Sequence, residues 1–257
     1  FIAGKNSSLL QRVKEIPHIQ PIFAGSVGFL SLLTLIVMLI APQVGAFETD
    51  LMINGLNQAQ TNITRTKTMA DQAEASRYNI AEGVSIIGDS VTLRATPGLK
   101  EVLPDAQTDA QVSRNTKQAN AIMLNHSQNK VLPKIVVIAT GVNNPEDYKA
   151  DIDSLITNLP KGHQLVLMTP FEGDTTQATQ PYVEQYASYV REVAQKYPYI
   201  AVADWNQVAK DHPEIWRGTD QVHFGSDNTK LEEGAKLYAE TIASAIKALE
   251  DKPVKSK

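Results

Sequence analysis

The residues best suited to chemistry are Ser90, Asn143, Asp220 and His223. Val84, Ile86 and Ile87 form a short β-branched run that stops at Gly88-Asp-Ser90, so a serine hydroxyl stands at the C-terminal end of a buried strand. In open parallel sheets that edge is where ligands bind, which suits Ser90 as a nucleophile. Read alone, Gly-Asp-Ser is equally a turn with a helix N-cap. A second apolar run, Lys134–Gly141, leads into Gly141-Val-Asn143, where a carboxamide donor suits a developing oxyanion; alone this too reads as a turn. His223 follows Asp220 by three positions in a loop before the last helix. That spacing lets a carboxylate fix the imidazole tautomer and leave the other nitrogen for a hydroxyl, although a surface Asp beside a structural His has the same pattern. His18, His126, His163 and His212 follow no strand's C-terminal end and are set aside as general bases.

The elements that must position these groups are strands alternating with amphipathic helices. Gln164–Pro170 and Ile200–Trp205 resemble buried parallel strands, with a weaker one near Gln111-Val-Ser113. Tyr148, Ile152, Leu155 and Leu159 keep helical spacing, as do Val183, Tyr186, Val190, Val193 and Tyr197. In the last helix Leu231, Ala235, Tyr238, Ile242, Ile246 and Leu249 share a face behind a Thr229-x-x-Glu232 capping box. The pattern predicts an α/β fold, a three-layer α/β/α domain over 82–250 with a parallel sheet of about five strands.

Upstream, the stretch 22–41 between Pro21 and Pro42 carries no charge. At about 1.5 Å per residue it spans a bilayer core of about 30 Å, which predicts a transmembrane helix. Lys5, Arg12 and Lys14 precede it on the 1–21 flank. Glu48 and Asp50 follow it, and the next basic residue is Arg65, so the positive-inside rule puts the later residues outside the cytoplasm. A signal peptide cleaved after Val44-Gly-Ala46 competes, but its apolar region would be too long. Residues 42–81, rich in Gln, Asn, Thr and Ala, read as an extracytoplasmic tether, and 251–257 as a charged, frayed tail. The chain opens on Phe1 rather than Met and so reads as part of a longer protein.

Composition narrows the chemistry. With 257 residues and no cysteine, the chain is long enough for a sizeable core but has no thiol nucleophile, disulfide or thiolate metal site. A net charge of −4 without a dense basic patch argues against nucleic acid as a partner.

Gly-Asp-Ser-Val, Gly-Val-Asn and Asp-x-x-His, in this order and each on one sheet edge, resemble the SGNH (GDSL-type) hydrolases over residues 83 to 249. The Gly-x-Ser-x-Gly elbow of the α/β-hydrolases is missing. The span, the polar tether and Asp220-Gln-Val-His-Phe224 further resemble the C-terminal part of OatA-type peptidoglycan O-acetyltransferases. That resemblance implies a catalytic triad of Ser90, Asp220 and His223. It also implies an oxyanion hole of Asn143 and the N–H groups of Ser90 and Ser113, the last standing where many members have Gly. It implies no metal or organic cofactor. The expected reaction is ping-pong transfer of acetyl through an acetyl-serine to muramoyl C6 hydroxyls of peptidoglycan, a modification that confers lysozyme resistance. A membrane acyltransferase domain absent from this chain would deliver the acetyl group. Two alternatives stay open: an extracytoplasmic carbohydrate or lipid esterase with the same triad, and a non-catalytic wall-binding module using Tyr182, Tyr186 and Tyr189 as an aromatic platform.

Overall fold

The strands Val84–Gly88 (β1), Gln107–Ala110 (β2), Ile135–Ala139 (β3), Gln164–Met168 (β4) and Ile200–Ala203 (β5) pair in the order β2-β1-β3-β4-β5, every pairing parallel. The computed structural model describes residue 49, residues 51–58 and residues 78–256. The expected span at 22–41 lies outside the described residues, as does most of the tether. Among the described residues no helix is long and apolar enough to cross a membrane.

Strands β1, β3, β4 and β5 are apolar runs because both faces of the sheet are covered there. Their side chains alternate between two cores. Ile86, Val137 and Val166 face a cluster with Leu99, Trp205, Tyr238 and Ile242, while Ile87, Val136, Ile138, Leu165 and Leu167 face Met123, Ile152, Leu155, Tyr186 and Val190. The first cluster is supplied by helices Ser90–Arg94 (α1), Thr96–Val102 (α2), Trp205–Asp211 (α6) and Asn228–Lys247 (α7). The second is supplied by Thr116–Gln128 (α3), Tyr148–Asn158 (α4) and Gln180–Lys196 (α5). The result is a three-layer α/β/α arrangement.

Three local expectations are corrected. The weak strand near 111–113 is instead at Gln107–Ala110, which ends the strand order among the described residues; Gln-Thr-Asp-Ala carries no apolar run to mark it in the sequence. The last helix is capped by Asp227, whose Oδ1 accepts from Lys230 N at 2.9 Å, rather than by Thr229; a carboxylate is as good a cap and comes first in the chain. The tail is not frayed at Lys255. Its backbone pairs with Gly162 and His163, and its buried ammonium donates to the carbonyls of Ile156, Thr157 and Leu159 at the end of α4.

The order 2-1-3-4-5 reverses direction at β1, so the crevice between the loops leaving β1 and β3 is the topological switch point. Ser90 and Asn143 follow those two strands.

Candidate active site

Strand β1 ends at Gly88, where nothing larger fits: a Cβ there would stand 2.0 Å from Thr92 Oγ1. Thr92 itself reaches over the strand end to the Ala139 carbonyl and Tyr238 OH. Asp89 then caps α1, its Oδ1 accepting from Val91 N at 3.0 Å. Ser90 is thereby the first residue of α1, and its N–H, belonging to a helix's first turn, has no intrahelical acceptor.

The loop before α7 brings His223 to the serine. Ser90 Oγ lies 2.7 Å from His223 Nε2. His223 Nδ1 lies 2.7 Å from Asp220 Oδ2. The Asp220–His223 contact is built locally. Gln221 takes a left-handed φ of 65°, and Asp220 Oδ1 then accepts the N–H groups of Val222 at 3.0 Å and His223 at 2.7 Å. Burial works to raise the Asp220 pKa, but the bonds from the His223 ring and from these N–H groups, together with the nearby imidazole, hold it down at about 2. This carboxylate stays ionised while holding Nδ1.

The loop after β2 carries Ser113 at φ 60°, a left-handed conformation that favours Gly. Asn143, after β3, donates from Nδ2 to the Arg114 carbonyl at 3.1 Å, which ties its carboxamide to the residue next to Ser113. A carboxamide carries two Nδ2 hydrogens, and this bond uses one of them.

Several residues of this site leave little trace in the sequence. Arg114 is 5 % exposed; its guanidinium donates to Asp109 Oδ1 at 2.7 Å, to the Gly88 carbonyl at 3.2 Å and to the Asp109 carbonyl, so it pins the Ser113 loop to the end of β1. Arginines are seldom buried, and nothing in the composition of the loop marks this one. Asp89 is buried beside the nucleophile, and burial raises its pKa to about 6 against the opposing pull of the Val91 N–H and of His223. Glu172, buried on the loop after β4, is also raised by burial; Asp174 N–H and His223 oppose the shift, whereas the charges of Asp174 and Asp220 add to it.

The tyrosines of the aromatic-platform alternative do not share one exposed face. Tyr186 is buried and bonded through its hydroxyl to Thr116, Tyr189 OH donates to Asp153, and Tyr182 is exposed. Among the described residues no group of His, Cys, Asp or Glu converges as a metal site.

No protein-family model matches the chain. The C-terminal catalytic domain of Streptococcus pneumoniae peptidoglycan O-acetyltransferase A (OatA), solved with a methylsulfonyl adduct, is similar at 65% sequence identity and a TM-score of 0.68, over 69% of this chain and 99% of that one. A member of the lipolytic G-D-S-L family from Veillonella parvula has a TM-score of 0.51 at 13% identity, over 65% of this chain and 99% of that one, a likeness of fold. YrhL of Bacillus subtilis, named as a candidate peptidoglycan O-acetyltransferase, is 24% identical over 168 residues, 65% of this chain and 24% of its own length. The chain thus spans about a quarter of that curated relative.

Proposed function

Because this chain belongs to the OatA family of peptidoglycan O-acetyltransferase catalytic domains, we propose that it transfers acetyl groups to the glycan of peptidoglycan through an acetylated Ser90. The observation that carries the reading is the continuous Ser90–His223–Asp220 chain, with both contacts at 2.7 Å.

Each proton has a destination. His223 Nε2 takes the Ser90 proton as Oγ attacks the carbonyl carbon of an acetyl ester, and the imidazolium is stabilised by ionised Asp220 at Nδ1. Negative charge develops on the carbonyl oxygen, facing the N–H groups of Ser90 and Ser113 and the carboxamide of Asn143. Collapse breaks the acetyl–donor bond, and His223 returns its proton to the departing donor oxygen. In the second half, a muramoyl C6 hydroxyl gives its proton to His223 and attacks the acetyl-enzyme. Ser90 Oγ leaves and recovers that proton. The route is ping-pong.

Residues 22–41, uncharged and preceded by basic residues, would hold this domain on the outer face of a membrane, within reach of the wall. The donor half-reaction would draw on acetyl groups carried across that membrane by an acyltransferase domain outside this chain. Water in place of the sugar would make the same site an esterase, a reading compatible with the G-D-S-L fold.

The direct test is mass spectrometry of the protein after mixing with p-nitrophenyl acetate. A single acetyl group on the peptide containing Ser90 is expected; an unmodified Ser90, with label elsewhere or nowhere, would refute the proposal.

A further inference from the structure

The Asp220–His223 contact is made within one loop, three residues apart, whereas the Ser90–His223 contact joins α1 to that loop across 133 residues. Its geometry therefore depends on how the loop is held against α1. Arg94, the last residue of α1, stands one helical turn after Ser90. Its Nε donates to the Phe224 carbonyl at 3.1 Å and its Nη2 to the Gly225 carbonyl. These carbonyls belong to the two residues immediately after His223.

The gripped backbone is itself anchored from the far side. The Phe224 ring is fully buried, edge-on to Trp205 at 5.6 Å and to Trp216 at 6.2 Å. Gly225 has a φ of 82°, its N–H donates to the Ile215 carbonyl at 2.8 Å, and a Cβ there would stand 2.5 Å from Leu231 Cα. A planar guanidinium with two donors on adjacent carbonyls fixes orientation as well as distance, which a single ammonium cannot do.

We propose that Arg94 is a positioning residue that sets the His223 imidazole at bonding distance from the Ser90 hydroxyl by clamping the 224–225 backbone to the nucleophile's own helix. The inference rests on the triad reading above. These two bonds go to backbone carbonyls beside His223, so Arg94 acts through His223. Small misplacements of a general base cost up to about 10²-fold in rate, so the clamp should be visible in the acylation step.

The test uses the full chain and the burst of p-nitrophenolate released from p-nitrophenyl acetate, with the Arg94→Ala, Arg94→Lys, His223→Ala and Arg94→Ala/His223→Ala variants. Arg94→Ala should slow acylation about 10- to 100-fold with KM within about twofold of wild type, and Arg94→Lys should recover part of that loss. In the His223→Ala background Arg94→Ala should add nothing, because there is no imidazole left to position. The downfield ring proton on His223 Nδ1 should persist in Arg94→Ala, since the Asp220 contact does not depend on α1. Wild-type acylation in Arg94→Ala, losses that add to those of His223→Ala, or disappearance of that proton resonance would each overturn the inference. Should Arg94→Ala fail to fold, wild-type acylation in Arg94→Lys overturns it equally. If instead His223→Ala retains wild-type acylation, it is the triad that fails.

Discussion

Ser90 and His223 meet Oγ to Nε2 at 2.7 Å although 133 residues separate them, and they do so at the point where the sheet reverses direction. A serine hydroxyl is not acidic enough to attack an ester at neutral pH unaided, so this contact decides whether Ser90 is a nucleophile or a helix residue.

If the two act as a unit, Ser90→Ala and His223→Ala each remove nearly all acetyl-enzyme formation, and the double variant is little worse than either. Asp220→Asn should lower acylation by up to about 10⁴ while the protein stays folded, because the imidazole then takes the wrong tautomer. Burst kinetics with p-nitrophenyl acetate measure all four proteins. Additive losses from Ser90 and His223 would exclude the unit.

The proposed oxyanion hole separates side-chain from backbone donors. Asn143→Ala should slow acylation by about 10²–10³. Ser113→Gly should leave it within about threefold, since the N–H is kept and Gly adopts the observed φ of 60° without a Cβ penalty. A Ser113→Gly protein as impaired as Asn143→Ala would mean that the hydroxyl, not the backbone, matters.

Two aspartates near the nucleophile should move stability in opposite directions with pH. Asp89 has a folded pKa raised from 3.8 to about 6, so the folded state binds its proton more tightly than the unfolded chain. Its contribution is fully present below 3.8 and is lost as pH rises through about 6. The ionised carboxylate then costs up to about 3 kcal/mol. Asp89→Asn keeps an N-cap acceptor, so its melting temperature should exceed wild type at pH 7.5 and converge with it towards pH 4. Asp220, lowered from 3.8 to about 2, contributes stability above 3.8 that disappears as pH falls through about 2. Melting curves across this range check both signs; a constant difference between Asp89→Asn and wild type would disprove the first.

Transferase and esterase differ in the second half-reaction. Adding muramoyl-containing oligosaccharides should accelerate loss of the acetyl-enzyme and yield O-acetylated sugar at the expense of free acetate. Single-turnover product analysis measures the partition. A deacylation rate indifferent to glycan, with all acetyl recovered as acetate, would make the protein an esterase and leave the triad standing.

If residues 22–41 span a membrane as proposed, the asymmetry of charge around them sets which side the domain faces. Protease added to intact cells should remove epitopes beyond residue 81. Digestion that requires permeabilised cells would reverse the orientation.

What the sequence by itself determined is local. Strands β1, β3, β4 and β5 are legible because a strand covered on both faces must be an apolar run, and the helices because a one-sided contact imposes a 3.6-residue period. Positions of Ser90, Asn143 and His223 relative to the ends of those elements follow from the same runs, and the Asp220–His223 spacing fits within a single turn of loop. Strand β2 escaped because Gln-Thr-Asp-Ala carries no apolar run, and the burial of Lys255 escaped because its partners are carbonyls at the end of a distant helix. Only the tertiary structure decided that Ser90 and His223 touch, that the Arg114 carbonyl receives Asn143, that Arg94 grips the backbone after His223, and that Asp89 is buried enough to titrate near 6. Those relationships join segments far apart in the chain, set by the packing of two helical layers on one sheet, and an interaction between distant segments leaves no periodicity or spacing in either of them.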